Sequence, residues 1–173
     1  MRSIASLVLG LVALGVVGGL VPRGALPYGR TDPGDATLIV DGAAAKRLPL
    51  VVADGHLERV RGLGGRHLAE GWGMLLRYDP PRPVRLTFAR TCQTLDVAFV
   101  DRTGTVLATH RGIRVGDPRP LPSPGPVRSV LELRAGDLDR LGFAVGAAVT
   151  VERAAQDLRR RTPSSSPLEP CSR

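Results

Sequence analysis

The sequence predicts a mainly β fold: a compact antiparallel sandwich or partly closed barrel with two or three short helices. The pattern along the chain points there. Short apolar, β-branched runs recur between 37 and 152, each closed by Gly, Pro or Asp-Gly punctuation. Aromatic residues make up only 3% of a chain that is 43% hydrophobic, so the core is built from Val, Leu, Ala and Ile. A length of 173 residues gives one domain of ordinary size a real core.

Taken in order, 37–40 is a short strand and Asp41-Gly42 a hairpin-type turn. The apolar run 48–53 is a second strand. Asp54 is placed to cap a short helix over 55–61 by accepting a first-turn N–H, and Gly62, Gly64 and Gly65 end it. Segments 72–78 and 84–88 are strands on either side of Asp79-Pro80-Pro81-Arg82-Pro83. The run 95–100 is a strand, 101–104 a turn, and 105–109 the hairpin partner. Five prolines within 116–126 exclude a continuous ladder or helix. Another strand covers 127–133, one or two helical turns cover 137–141 before Gly142, and a last strand covers 147–152. From 153 the pattern turns helical as far as Arg161, and 162–173 is expected to be a tail too polar to fold.

Residues 4–21 carry no charge, follow Arg2 and are closed by Pro22-Arg23-Gly24. That length is at the short end of a membrane span and equally suits an export signal. The expected organisation is therefore a signal peptide or membrane anchor over 1–21, a linker over 22–36, a β-rich domain over 37–152, and a short helix with a disordered tail over 153–173. The body is expected outside the cytoplasm, secreted or held at the membrane by 4–21.

The net charge of +8 is unevenly spread. Residues 1–30 and 153–173 each carry +3, while 31–152 carry 16 basic and 14 acidic side chains, or +2. Duplex binding needs positive charge concentrated on a folded face, so no nucleic-acid partner is expected. The 23 Arg against 1 Lys suggest a high-GC coding bias, so the Arg count alone does not argue for phosphate binding.

His56, His67 and His110 lack metal-ligand spacing, and Cys92 and Cys171 lie 79 positions apart, so no metal or cofactor is expected. Neither Ser123 nor Ser129 sits in a nucleophile elbow. Cys92, beside Arg90, has a nucleophile's setting but reads better as a small core residue. Cys171, in the tail, is not expected to bridge to it. Asp96 and Glu132 each interrupt an apolar strand, and Glu58 sits at an element end. With Arg61 and Arg66 they form a candidate charged cluster in which Glu58 pairs with Arg61, and Asp96 or Glu132 with Arg66. Paired carboxylates facing a cleft serve acid–base chemistry, but ion-pair networks are the commoner cause of such residues.

Four segments in a fixed order carry a family resemblance: Glu58-Arg59-Val60-Arg61-Gly62-Leu63, Gly73-Met74-Leu75-Leu76, Leu95-Asp96-Val97-Ala98-Phe99-Val100-Asp101, and Val130-Leu131-Glu132-Leu133-Arg134-Ala135-Gly136. Together with Arg66 and the 141–146 turn, they resemble a small, often exported bacterial domain family known only as domain of unknown function one-nine-two. The resemblance implies a β-rich domain without established enzymatic activity. It also implies an altered stretch over 87–94, where a basic-Asn-Thr sequence would be usual, and Ala147 where Asp is common. The leading expectation is a non-catalytic binding module with an unknown ligand or protein partner at the cell envelope. The alternatives are an enzyme using carboxylates and arginines around Glu58, Arg61, Arg66 and Asp96, or a structural accessory domain without a ligand.

Overall fold

The computed structural model describes residues 36–40, 46–153 and 167–172. The expected signal or anchor segment, the linker as far as 35 and the expected helix beyond 153 lie outside them. Along the chain the elements are β1 (Ala36–Val40), β2 (Lys46–Ala53), α1 (His56–Arg61), β3 (Arg66–Leu68), β4 (Gly73–Arg82), β5 (Arg85–Leu86) and β6 (Leu95–Val100). They continue as β7 (Val106–Ile113), β8 (Leu121–Pro122), β9 (Val127–Arg134), α2 (Asp137–Leu141), β10 (Val149–Arg153) and β11 (Leu168–Pro170).

Seven strands form one sheet in the order β10-β1-β2-β4-β9-β6-β7. Every pairing in it is antiparallel except β2 with β4. That parallel pair needs a crossover, which α1 and β3 supply. The sheet curls into a half-barrel until its two edges touch. Thr105 bridges Ala148, and the Val149 N–H donates to Gly104 O at 2.8 Å. Gly104 permits this contact: it has φ +88°, and a Cβ there would lie 2.5 Å from Val149 O. Of the two expected architectures, the partly closed barrel is the one formed.

Strand alternation divides the core between two faces of the sheet. Leu48, Leu50, Leu75, Ala98, Leu131 and Leu133 point inward, where Leu138, Leu141 and Phe143 of the α2 region plug the barrel. Val51, Met74, Leu76, Val97, Phe99 and Val130 point outward and are covered by Leu63, Leu68, Leu86 and Phe88. Strand β6 is buried along its whole length, which explains why its pattern is apolar on both faces except at Asp96.

Several boundaries differ from expectation. Strand β4 continues through Pro80 and Pro81 to Arg82, because the register with β9 breaks between Arg77 and Arg82 and no ladder N–H is required there. The Pro-rich segment contributes one two-residue strand, β8, which pairs with β5. The expected strand over 84–88 shortens accordingly to Arg85–Leu86.

The tail requires the largest correction. Residues 167–172 are not disordered: β11 pairs with β3, and Cys171 forms a disulfide with Cys92 across a Cα–Cα distance of 6.0 Å. Ala69 N–H donates to Pro167 O at 2.9 Å, and the Glu169 carboxylate meets His67 Nε2 at 2.9 Å. Pro167 is buried and Leu168 packs against the outward core, and the disulfide and backbone bonds hold the rest of the segment. Cys92 is therefore neither a nucleophile nor a free core thiol.

Candidate functional site

The outward face of the sheet carries a cleft of about 410 Å³ beside α1. Helix α1 forms one wall. It buries none of its residues and leaves Leu57 and Val60 exposed, while Leu63 just beyond it anchors the turn in the core. The segment 82–91, closed by the β5–β8 pair, forms the opposite wall. Strand β9 supplies the floor through Glu132, which is 5% exposed.

Glu132 reaches this face because Leu131 and Leu133 on either side point into the barrel. It is flanked across the ladder by Met74 of β4 and Val97 of β6. Its Oε2 is buried and has no hydrogen-bond partner among the described residues. Burial pushes the Glu132 carboxyl up to about 7, with the Arg66 charge acting the other way. Gly62, at φ +46°, ends α1 directly above it, and a Cβ there would lie 3.6 Å from Glu132 Oε2. Arg66 donates to Gly62 O at 2.6 Å, which ties β3 to that turn. Burial first, then Arg61, lowers the Arg66 guanidinium's proton affinity, while Glu132 raises it.

Tyr78 completes the inner part of the cleft. Burial raises its phenol above the ordinary range. The guanidiniums of Arg59 and Arg82 each lie 5.2 Å from its ring centroid. Arg59 also donates to Arg77 O at 3.0 Å and to Asp54 O. Arg61, Arg85 and Arg90 line the rest of the opening, and Glu132 is the one acid among the lining residues.

The structure does not bring the five residues singled out in the sequence into one cluster. Glu58 turns back to the start of α1, where its Oε2 accepts the N–H groups of Gly55 at 2.9 Å and Asp54 at 3.2 Å. The N-cap is Gly55, so the side-chain cap expected of Asp54 is not formed, and Glu58 supplies instead the bond that returns to the N-cap N–H. Asp96 lies on the opposite face of the sheet, because the β6 alternation places it with Ala98 and Val100. There Oδ2 accepts Gly136 N–H at 2.8 Å and Leu138 N–H at 3.2 Å, and Oδ1 accepts Gly112 N–H at 2.9 Å. Asp96 is thus the acceptor for the start of α2, whose N-cap, Gly136, has no side chain. Of the five, only Arg61 and Glu132 line the cleft, and Arg66 lies close enough behind Gly62 to act on Glu132.

Sequence reasoning did not single out Tyr78, Arg82, Arg85 or Arg90 as site residues. The signal that could have found them was the arginine excess of 77–128, nine against four Asp. A larger open groove of about 700 Å³ along β7 holds a basic group beside an acid already joined to it: Asp117 and Arg119 meet at 2.6 Å. Among the described residues, no three His, Cys, Asp or Glu side chains assemble as a metal site.

The class of protein is defined by this half-barrel and by the four motifs, which build the wall and floor of the cleft and the central strands. The chain matches the DUF192 family, described as an uncharacterized ACR, over residues 37–151, and it belongs to that family. A crystal structure of a protein of unknown function from Novosphingobium aromaticivorans is similar, with a TM-score of 0.62 and 28% identity over 66% of this chain and 83% of that one. A second is a Sinorhizobium meliloti protein provisionally described as a transcription regulator, with a TM-score of 0.63 and 28% identity over 67% and 92%. No curated protein matches.

Proposed function

We propose that this chain is a non-catalytic binding module of the cell envelope and that its ligand occupies the cleft over Glu132. One observation carries the reading: a buried carboxyl whose Oε2 lacks a partner among the described residues, beneath an arginine-lined opening. An unpaired buried polar atom is costly, and a ligand that completes it offsets that cost. Two features support the envelope. One is the uncharged apolar run over 4–21 behind Arg2. The other is the Cys92–Cys171 disulfide, a bond typical of oxidising compartments. The regulator description of the Sinorhizobium meliloti protein is not carried over, since residues 31–152 hold an excess of only +2.

The enzyme reading has one observation in its favour: Glu132 near 7 is suited to acid–base work. Against it, Asp96 sits behind the sheet and Glu58 turns back to the start of α1, so no second carboxylate among the described residues faces the cleft.

The test is NMR mapping of a small-molecule library on the full chain. Hits should move the amides of α1 and 82–91, and Val84→Trp, which fills the opening, should abolish them. Hits that map elsewhere or survive Val84→Trp overturn the reading. Turnover of a hit, lost in Glu132→Gln, would instead favour the enzyme. A periplasm-dependent reporter fused after Arg173 should be active, and an inactive one counts against the envelope.

A further inference from the structure

Resting on the cleft reading above, the chemistry of its lining narrows the ligand. Arg59, Arg61, Arg82, Arg85, Arg90 and His56 line the opening, and the one acid among the lining residues is at the floor. Such a surface recruits anions, and guanidinium forks match the two oxygens of a carboxylate. An ionised Glu132 would oppose that recruitment, whereas a neutral carboxyl donates a hydrogen bond to the incoming oxygen. The groups around it favour the neutral form. Met74 and Val97 flank it on the sheet, Tyr78 lies along β4, and Gly62 covers it from the end of α1. Arg66 of β3, with Arg61 beside it, is the cation acting on it, and burial outweighs that cation. Leu63, Leu76, Val84 and Leu86 give the cleft an apolar wall, which suits a carbon body better than a bare inorganic ion.

We propose that the cleft takes an organic carboxylate anion, with its oxygens on the arginine rim and on the protonated Glu132 carboxyl, so that binding the anion also binds a proton. The balance is simple. Above neutrality an ionised Glu132 and a ligand carboxylate meet, one proton is taken from solvent, and it rests on Glu132 Oε2 in a hydrogen bond to the ligand. Below neutrality Glu132 already carries that proton and none is taken up.

Hexanoate is a suitable probe, because it stays ionised from pH 6 to pH 8 while Glu132 titrates. Calorimetry on the full chain should show binding about tenfold weaker at pH 8 than at pH 6, given a carboxyl at about 7 in the free protein. At pH 8, two buffers of different ionisation enthalpy should report close to one proton taken up per hexanoate. Glu132→Gln keeps a donor that never ionises, so it should bind equally at both pH values with no proton uptake. Identical pH profiles for wild type and Glu132→Gln overturn the proton coupling while leaving the cleft reading intact. Binding of 1-hexanol as tight as hexanoate overturns anion recognition. Library hits that map to the cleft while hexanoate fails at both pH values overturn the carboxylate class alone.

Discussion

Two acids that look alike in the sequence, each interrupting an apolar strand, have opposite roles because neighbouring strands show them to opposite faces. Register pairs Asp96 with Leu133 and Val97 with Glu132, so the two carboxylates are adjacent in the ladder and separated by the sheet. Asp96 is surrounded by backbone donors. Glu132 is surrounded by apolar side chains and one arginine, and it is held near 7 against an ordinary 4.5. That difference has a stability consequence. Below pH 4.5 the carboxyl is protonated in folded and unfolded chains alike, and its titration costs nothing. Between 4.5 and about 7 the unfolded chain ionises first, and stability is progressively lost as pH rises. Above about 7 the loss is complete, at roughly 3 kcal/mol. Glu132→Gln removes it, so the variant should gain on wild type in urea midpoint from pH 5 to pH 8. A constant difference across that range would mean that Glu132 is not buried as a neutral acid.

At the scale of elements, α2 shows what one side chain can do for a helix of five residues. A helix that short cannot sustain itself, and its start depends on an acceptor borrowed from β6. Asp96→Ala leaves the buried Leu138 N–H without that acceptor and should cost about 1–3 kcal/mol. Hydrogen exchange should quicken at Leu138, while binding in the cleft on the other face remains. Loss of cleft binding in a folded Asp96→Ala would contradict this division. The elements with strong local patterns were legible in the sequence: 95–100, 127–133, both short helices and the 101–104 turn, where Asp101 accepts the N–H of Thr103 and of Thr105. Strands β3, β8 and β11 were not. Each is two or three residues long and carries no periodicity of its own. Residues 66 and 96 were grouped for the same reason, since charge type is written in the sequence but the face a strand shows is set by its partner.

Across the whole molecule, the half-barrel joins its own edges at Thr105 and Ala148, while a separate strap fastens the far end of the chain. The disulfide spans 79 positions, and β11 reaches β3, not the main sheet. The strap also touches the cleft indirectly. Gly65, whose O accepts Cys171 N–H at 3.2 Å, donates its own N–H to Arg90 O at 2.8 Å, and Arg90 stands on the rim. Cross-linking so long a segment restricts the unfolded chain, and its loss should cost about 2–4 kcal/mol. Cys171→Ser should therefore melt at a lower temperature than the oxidised protein and lose exchange protection at Ala69 and His67. The far-UV signature of the seven-stranded sheet should persist, because none of its ladders involves β11. Compartment enters through the same bond. Protein exported to an oxidising space should show no titratable thiol, whereas protein retained in the cytosol should show two and share the variant's lower melting point. Equal melting points for the oxidised and reduced forms would mean that the half-barrel stands without its strap, whereas two titratable thiols in the exported protein would remove the disulfide's argument for the envelope.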